Sequence, residues 1–358
     1  MTNRFRRYAL APLAVMMLVV AGACSSTKSN GAANTGGSTQ LPSTTLAGSG
    51  SSFQDAFDQQ VFRDFTNDVQ KNVTVNYAPT GSGQGQTDLA GGLVDFAGSD
   101  SLVAPADLSK FKGPLLYVPI VSAPITISYH VSSVAKLTLS ASTIAKIFSS
   151  KVTKWNAPEI GADNPGVSLP STTIVVVHRS DGSGTTANFT KYLTEAAPSD
   201  WTLGTAKTVN WATSTIGAEK NTGVADKIKS TEGAIGYVDF SDAKAAGLAF
   251  ASVKNAAGKV VAPSLAGATA AMASAPISAD VTVSPMNAPG ADAYPITSPT
   301  YTIVYATQKD HAKGTALKAL LEYVLGTGQD KAAGLDYAKL PDALLAKAKA
   351  QVTKIVVP

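Results

Sequence analysis

One stretch decides how this chain is interpreted: Val175-Val176-Val177-His178-Arg179-Ser180-Asp181-Gly182-Ser183-Gly184-Thr185-Thr186. It begins as an apolar β-branched run, turns on two glycines and continues into a segment of helical character from Ala187 to Leu193. A strand that passes through a glycine-rich turn into a helix leaves free backbone N–H groups aimed at one point. The hydroxyls of the turn and the guanidinium of Arg179 add side-chain donors. The stretch therefore predicts a site for a small oxyanion.

Three further junctions of this kind lie in the first part of the chain, where a short apolar strand runs into a turn of glycine and serine. Their turns are Gly48-Ser49-Gly50-Ser51-Ser52, Gly81-Ser82-Gly83-Gln84-Gly85 and Gly98-Ser99-Asp100. The carboxyl ends of parallel strands meet at one edge of an open sheet, where α/β proteins bind ligands. A single Gly/Ser turn is also an ordinary helix start. Only the set of four turns predicts a ligand site.

The N-terminus has the features of an export signal. Three arginines within the first seven residues precede an apolar run from Ala9 to Val20, which is short for a transmembrane helix. Small residues follow, and then Cys24, the only cysteine of the chain. This arrangement resembles a bacterial lipoprotein signal over residues 1–23, in which Cys24 is lipidated and becomes the mature N-terminus. The alternative is a plain secretory signal with an incidental cysteine.

The segment after the signal predicts a tether. Residues 24–43 are rich in Ser, Gly, Thr and Asn and contain almost no large apolar side chain, so they bury too little surface to fold. A flexible tether between a lipid anchor and a folded body implies a partner at the membrane.

Composition and charge exclude several classes of protein. With 358 residues and 44% hydrophobic residues, the chain is long and apolar enough for two folded domains. The chain has 29 Lys+Arg and 25 Asp+Glu, and loss of the three signal arginines leaves 26 against 25. The mature protein is nearly neutral, so its charge gives no argument for a nucleic-acid partner.

Short motifs run in a fixed order along almost the whole body of the chain. They are Gly48-Ser-Gly-Ser-Ser-Phe53, Val75-Asn-Tyr77, Gly81-Ser82-Gly83, Val94-Asp-Phe-Ala-Gly-Ser-Asp100, Lys154-Trp155, Asn164-Pro-Gly166, Arg179-Ser-Asp-Gly-Ser-Gly-Thr185, Gly233-Ala-Ile-Gly-Tyr-Val238, Tyr294-Pro-Ile-Thr-Ser298 and Leu335-Asp-Tyr-Ala-Lys-Leu-Pro341. With these motifs the chain resembles the PstS family, the phosphate-binding proteins of bacterial phosphate ABC transporters. The run from Arg179 to Thr185 is the most specific of them.

The resemblance implies an α/β fold of the two-domain periplasmic-binding-protein type (type II-like), with a ligand cleft between the domains and a hinge. By this analogy one domain contains residues 44–127 plus 300–358, and the other contains residues 128–299.

The resemblance also implies which residues contact phosphate. Position by position, they are Ser52 and the backbone N–H of Phe53 from the first turn, Ser82 from the second, Asp100 from the third, and Arg179, Ser183, Gly184 and Thr185 from the fourth. Asp181 is implied to brace the guanidinium of Arg179 and partly neutralise it.

Asp100 is the unusual member of this set, because a carboxylate that faces an anion weakens binding unless it accepts a hydrogen bond. Phosphate near neutral pH keeps at least one P–OH and can donate that bond, whereas fully ionised sulfate cannot. Sites built around such a bond reject the analogue lacking it by on the order of 10⁴–10⁵. We therefore interpret Asp100 as the group that selects phosphate over sulfate.

Structural roles remain open for several of these residues. Asp100 can instead be the N-cap of a helix near Pro105, and Ser183 or Thr185 can simply cap the helix that follows them. Arg179 can form a surface ion pair with Asp181.

The sequence thus predicts a binding protein, most simply a monomer, on the extracytoplasmic face of the cell membrane. It would capture inorganic phosphate by hinge closure and deliver it to the permease subunits of an ABC transporter, without a cofactor. One alternative is a phosphatase or serine hydrolase that uses Ser183, although no base is evident beside this serine. A binding protein for another tetrahedral oxyanion is the other alternative. His130, His178 and His311 are too scattered to predict a metal site.

Overall fold

The computed structural model describes residues 39–358, which form strands and helices in an alternating order. The strands are β1 Thr44–Gly50, β2 Val73–Ala78, β3 Phe96–Ser99, β4 Leu115–His130, β5 Thr138–Leu139, β6 Val175–Arg179, β7 Ile216–Ala218, β8 Ala234–Asp239, β9 Ala249–Phe250, β10 Ser252–Lys254, β11 Val260–Val261 and β12 Thr297–Tyr305. The helices are α1 Asp55–Asp64, α2 Ser82–Gly91, α3 Ala141–Phe148, α4 Pro158–Asp163, α5 Gly184–Ala196, α6 Lys220–Lys229, α7 Phe240–Ala245, α8 Leu265–Ser274, α9 His311–Val324 and α10 Asp342–Thr353.

Most strands belong to one mixed sheet with the order β2-β1-β3-β12-β4-β8-β6-β7, and β9 pairs with β4 beside this path. Parallel pairs join β1 to β2 and β3 at one end, and β6 to β7 and β8 at the other. Between them, β12 and β4 pair antiparallel with each other and with their outer neighbours. This is a mixed α/β architecture, which agrees with the fold that the resemblance implied. A smaller sheet has the order β11-β10-β5.

The sequence pattern from Leu115 onwards predicts two strands, Leu115–Val121 and Ile125–Tyr129, and the structure differs from that prediction. The structure has one continuous strand of 16 residues whose first part pairs with β12 and whose second part pairs with β8. Both internal prolines lie where the ladder is irregular. Pro119 borders the register shift against β12, and Pro124 is the last residue before the change of partner. Prolines are tolerated at such positions, so they do not end the strand.

Helix α1 packs through an apolar stripe of residues spaced by four, the spacing that predicts one buried helix face. Phe53, Phe57, Val61 and Phe65 are completely buried, and the rings of Phe53 and Phe57 contact Tyr337 edge-on. The helix continues into a π-helical turn over Phe65–Val69. This packing fixes the start of α1 beside the end of β1.

An aromatic cluster packs against the parallel strands β6 and β8 and helix α5. Phe189 packs between Phe148 and Tyr237, with ring centroids 4.7 and 4.5 Å away, and Trp211 stacks on His178. Because side chains alternate along a strand, His178 lies on the opposite side of β6 from the buried Arg179.

The described chain begins with residues that are attached to the body. Leu41 N–H donates to Gln70 Oε1 at 2.8 Å, and Lys71 N–H donates to Gln40 Oε1 at 2.8 Å. The last residues of the predicted tether are thus docked near β2. The predicted signal over 1–23, the rest of the tether and Cys24 lie outside the described residues. Among residues 39–358, no helix has the length and apolar character needed to cross a membrane.

Candidate functional site

The four predicted turns come together at the carboxyl ends of their strands. The first turn lies between β1 and α1, Ser82 begins α2, Asp100 follows β3, and Ser183 precedes α5. The second and fourth turns touch, because Gly83 N–H donates to Gly182 O at 2.7 Å. A Cβ on Gly83 would lie only 2.9 Å from that carbonyl oxygen, so this close approach requires glycine. All eight implied ligand residues are buried: Ser52, Phe53, Ser82, Asp100, Arg179, Ser183, Gly184 and Thr185.

Arg179 forms a buried ion pair with Asp181 rather than a surface pair. Its side chain is 1% exposed, its Nε donates to Asp181 Oδ1 at 2.6 Å, and its Nη2 donates to Asp181 Oδ2. Burial alone would raise the pKa of Asp181, but the hydrogen bond and charge of Arg179 hold that pKa below its ordinary value. Two of the five guanidinium N–H groups are used in this pair. The remaining three are available to an anion.

Asp100 is surrounded by hydroxyl groups. Ser51 donates to its Oδ1, and Thr185 Oγ1 donates to its Oδ2 at 3.3 Å. Thr300 Oγ1 lies 3.2 Å from Oδ1 and makes its shorter bond to Gln54 Oε1. Burial raises the pKa of Asp100 to about 6, although these hydroxyls and the charge of Arg179 oppose the shift. Asp100 is therefore a buried acceptor whose charge changes near neutral pH.

The capping alternative for Asp100 is wrong. The short 3₁₀ helix Pro105–Lys110 is preceded by Ala104 and has no side-chain cap bond. Ser183, in contrast, is the N-cap of α5, since its Oγ accepts from Thr186 N–H at 3.1 Å. This capping bond uses an oxygen lone pair and leaves the hydroxyl hydrogen free. Capping and donation to an anion are therefore compatible at Ser183.

The hydroxyl of Ser82, like that of Ser183, accepts a hydrogen bond and keeps its own hydrogen for donation. Its Oγ accepts from Asp100 N–H at 3.2 Å, so its hydrogen is also free to be donated. The first-turn N–H groups of α5, including that of Gly184, have no acceptor within the helix. The backbone N–H of Phe53 differs from the expectation, because it already donates to Ser51 Oγ at 3.0 Å.

Four buried residues at the site were not identified from the sequence. Ser51 and Thr300 contact the carboxylate of Asp100, and Asn188 Nδ2 donates to its backbone oxygen at 2.7 Å. Asn221 contacts Ser52 and Thr185. Ser51 could have been found, since it adjoins Ser52 in the first turn, and Asn188 lies one turn after Gly184. Thr300 and Asn221 have no local signal, because one lies inside a strand and the other outside the four turns.

The arrangement is rich in donors and has one carboxylate that is not paired with a cation. Such a site suits an oxyanion that keeps a proton. Among the residues that the structure describes, the Ser183 hydroxyl has Thr186 N–H as its partner and no histidine or lysine hydrogen-bonded to it. The geometry therefore favours binding over nucleophilic attack by Ser183.

Gly184→Ala tests how closely the turn that follows β6 must approach Ser82 and Asp100, which lie in the turns that follow β2 and β3. A Cβ at this position would collide with Ser82 Oγ and would lie 2.8 Å from Asp100 Oδ2. We expect phosphate affinity to fall by about 100-fold or more, because the ligand turns can no longer close on the anion. Isothermal titration calorimetry measures this effect. The matched control is Gly161→Ala, where the new Cβ has no neighbour within 4 Å. Equal affinities of the two variants would contradict the closed geometry.

Comparison with known proteins gives consistent matches. The profile of the PBP superfamily domain matches residues 30–327. The chain is 35% identical over 294 residues to the phosphate-binding protein PstS 3 of Mycobacterium tuberculosis, covering 79% of each chain. It is 35% identical over 283 residues to the phosphate-binding protein PstS of Haemophilus influenzae, covering 77% of this chain and 84% of the relative.

A solved structure has the same fold. The periplasmic phosphate-binding protein PfluDING, determined with bound phosphate, superposes with a TM-score of 0.68 at 22% identity, covering 85% of this chain and 93% of the other. At 22% sequence identity this similarity supports the fold alone.

Proposed function

The chain belongs to the PstS family of phosphate-binding proteins within the PBP superfamily. From that premise we propose that it binds inorganic phosphate between the turns that follow β1, β2 and β3 and the turn that follows β6. The observation that carries this proposal is the combination of Arg179 and several hydroxyl donors with one buried acceptor, Asp100. Arg179 and the hydroxyls match the charged oxygens of phosphate, and Asp100 matches its P–OH group. Ser52, Ser82 and Ser183 are the proposed hydroxyl donors to phosphate, while the hydroxyl of Thr185 donates to Asp100.

The wider role follows from the same family membership. We propose that the protein delivers phosphate to the permease subunits of an ABC transporter from the extracytoplasmic face, where a lipid on Cys24 would anchor it. The two moving bodies would be residues 44–127 plus 300–358 and residues 128–299, and the protein would act as a monomer. The relatives are binding proteins by name, and no contact of Ser183 supports hydrolysis, so we propose no enzymatic activity.

Calorimetric titration of the folded chain with phosphate and with sulfate at pH 8 tests the proposal. Phosphate is expected to bind with a preference on the order of 10⁴ over sulfate, since sulfate has no proton for Asp100. A protein that does not bind phosphate, or that binds the two anions equally, would contradict the proposed function.

A further inference from the structure

A fifth turn reaches the site, between β7 and α6. Strand β7 pairs with β6 so that Ala218 lies opposite Arg179. Lys220 N–H then donates to Asp181 Oδ1 at 3.2 Å, and the next N–H, that of Asn221, donates to Ser52 Oγ at 3.3 Å. The φ angle of Lys220 is +62°, in the left-handed region that residues other than glycine rarely adopt. Strained backbone of this kind is concentrated at functional sites.

The side chain of Asn221 contacts the hydroxyls of two of the implied ligand residues. It is completely buried, and its Nδ2 donates to Ser52 Oγ at 3.3 Å and to Thr185 Oγ1 at 3.3 Å. Ser52 and Thr185 belong to the first and fourth turns. Asn221 is therefore a single amide group that joins a turn after β1 to a turn after β6.

These contacts determine the direction in which the hydroxyls donate. A hydroxyl oxygen has two acceptor lone pairs and one hydrogen. Ser52 Oγ accepts from both the backbone N–H and the Nδ2 of Asn221, so both lone pairs are used. Its hydrogen must then be donated to another group. Thr185 Oγ1 likewise accepts from Nδ2, and its hydrogen is donated to Asp100 Oδ2 at 3.3 Å.

The oxygen end of the same amide, Asn221 Oδ1, is buried and makes no hydrogen bond within the described part of the chain. A buried acceptor without a hydrogen bond destabilises the folded chain. The side chain thus leaves its oxygen unpaired while it places its NH₂ group on two hydroxyls of the site.

We propose that Asn221 is a positioning residue of the anion site, which holds the hydroxyl of Ser52 as a donor toward the bound oxyanion and the hydroxyl of Thr185 as a donor toward Asp100. This inference rests on the proposed phosphate-binding function. It adds the turn at 219–221 to the four turns that carry the ligand residues, and it gives the site a neutral residue that fixes donor polarity without adding charge.

Asn221→Asp reverses this polarity with almost no change of shape. A carboxylate only accepts hydrogen bonds, so Ser52 would donate to it instead of to phosphate and Thr185 would donate to it instead of to Asp100. Its charge would also oppose the anion. At pH 8 we expect phosphate affinity to fall by at least about 100-fold, against about tenfold for Asn221→Ala. The loss in Asn221→Asp should shrink on acidification to pH 5, because a protonated carboxyl can donate again. Calorimetry at both pH values measures these changes.

Thr222→Asp is the matched control, since it adds the same charge at the neighbouring exposed position. It is expected to keep phosphate affinity within about threefold of the wild type, because exposed charges are screened. Thermal unfolding monitored by circular dichroism identifies variants that do not fold. If Asn221→Asp fails to fold, the phosphate affinity of Asn221→Ala alone tests the positioning role of Asn221.

Two results would overturn the role of Asn221. One is a folded Asn221→Asp variant that binds phosphate as tightly as Thr222→Asp or shows the same pH dependence as Asn221→Ala. The other, if only the alanine variant folds, is affinity within twofold of the wild type. Failure of the wild type itself to bind phosphate would instead contradict the proposed function, so the two failures are distinguishable.

Discussion

Replacing Arg179 with alanine is expected to weaken phosphate binding by about 30-fold to several thousandfold, which corresponds to the loss of one partner from a buried charged pair. The substitution removes the charge-assisted donors that face the anion. It also leaves the half-buried carboxylate of Asp181 beside the site without its guanidinium partner. Titration calorimetry with phosphate at pH 8 measures the loss of affinity.

The double variant Arg179→Ala/Asp181→Asn separates these two causes. If part of the loss comes from the unpaired carboxylate of Asp181, neutralising that carboxylate should restore part of the affinity. Asp181→Asn alone is expected to have a smaller effect than Arg179→Ala, because the guanidinium remains in place. An Arg179→Ala variant that binds phosphate within threefold of the wild type would show that Arg179 does not face the anion.

The parts of the site that lie within short loops were predictable from the sequence. The stretch from Arg179 to Thr185 contains a strand end, a turn and a helix start, so its donors converge by local geometry alone. The resemblance to the PstS family then supplied Asp100, which a Gly/Ser turn by itself does not identify as a ligand. The structure places both in one buried cluster, with Thr185 as the link between them.

The parts that depend on distant contacts were not predictable. Thr300 reaches Asp100 only because β12 pairs with both β3 and β4, and nothing in the sequence around Thr300 specifies that pairing. Asn221 reaches Ser52 from 169 residues away through the turn at Lys220. The continuity of β4 was missed for a related reason, since whether Pro119 breaks a strand depends on the register of its neighbour.

Asp100→Asn is expected to abolish the discrimination between phosphate and sulfate. The asparagine amide can donate a hydrogen bond to any anion oxygen, so sulfate can now bind without facing a carboxylate. Phosphate can still donate its P–OH to the amide oxygen, but it loses the charged acceptor. We expect the ratio of the two dissociation constants, on the order of 10⁴ in the wild type, to fall to about ten or less in the variant. Parallel titrations with the two anions at pH 8 give this ratio.

The pH dependence of sulfate binding supplies the decisive control. Because the pKa of Asp100 is raised to about 6, its carboxyl is ionised at pH 8 and largely protonated at pH 5. A protonated carboxyl donates, so wild-type affinity for sulfate should increase as the pH falls through about 6. The Asp100→Asn variant has no such titration and should bind sulfate with little change over the same range. Wild-type sulfate affinity that stays constant from pH 8 to pH 5 would show that the charge of Asp100 does not exclude sulfate.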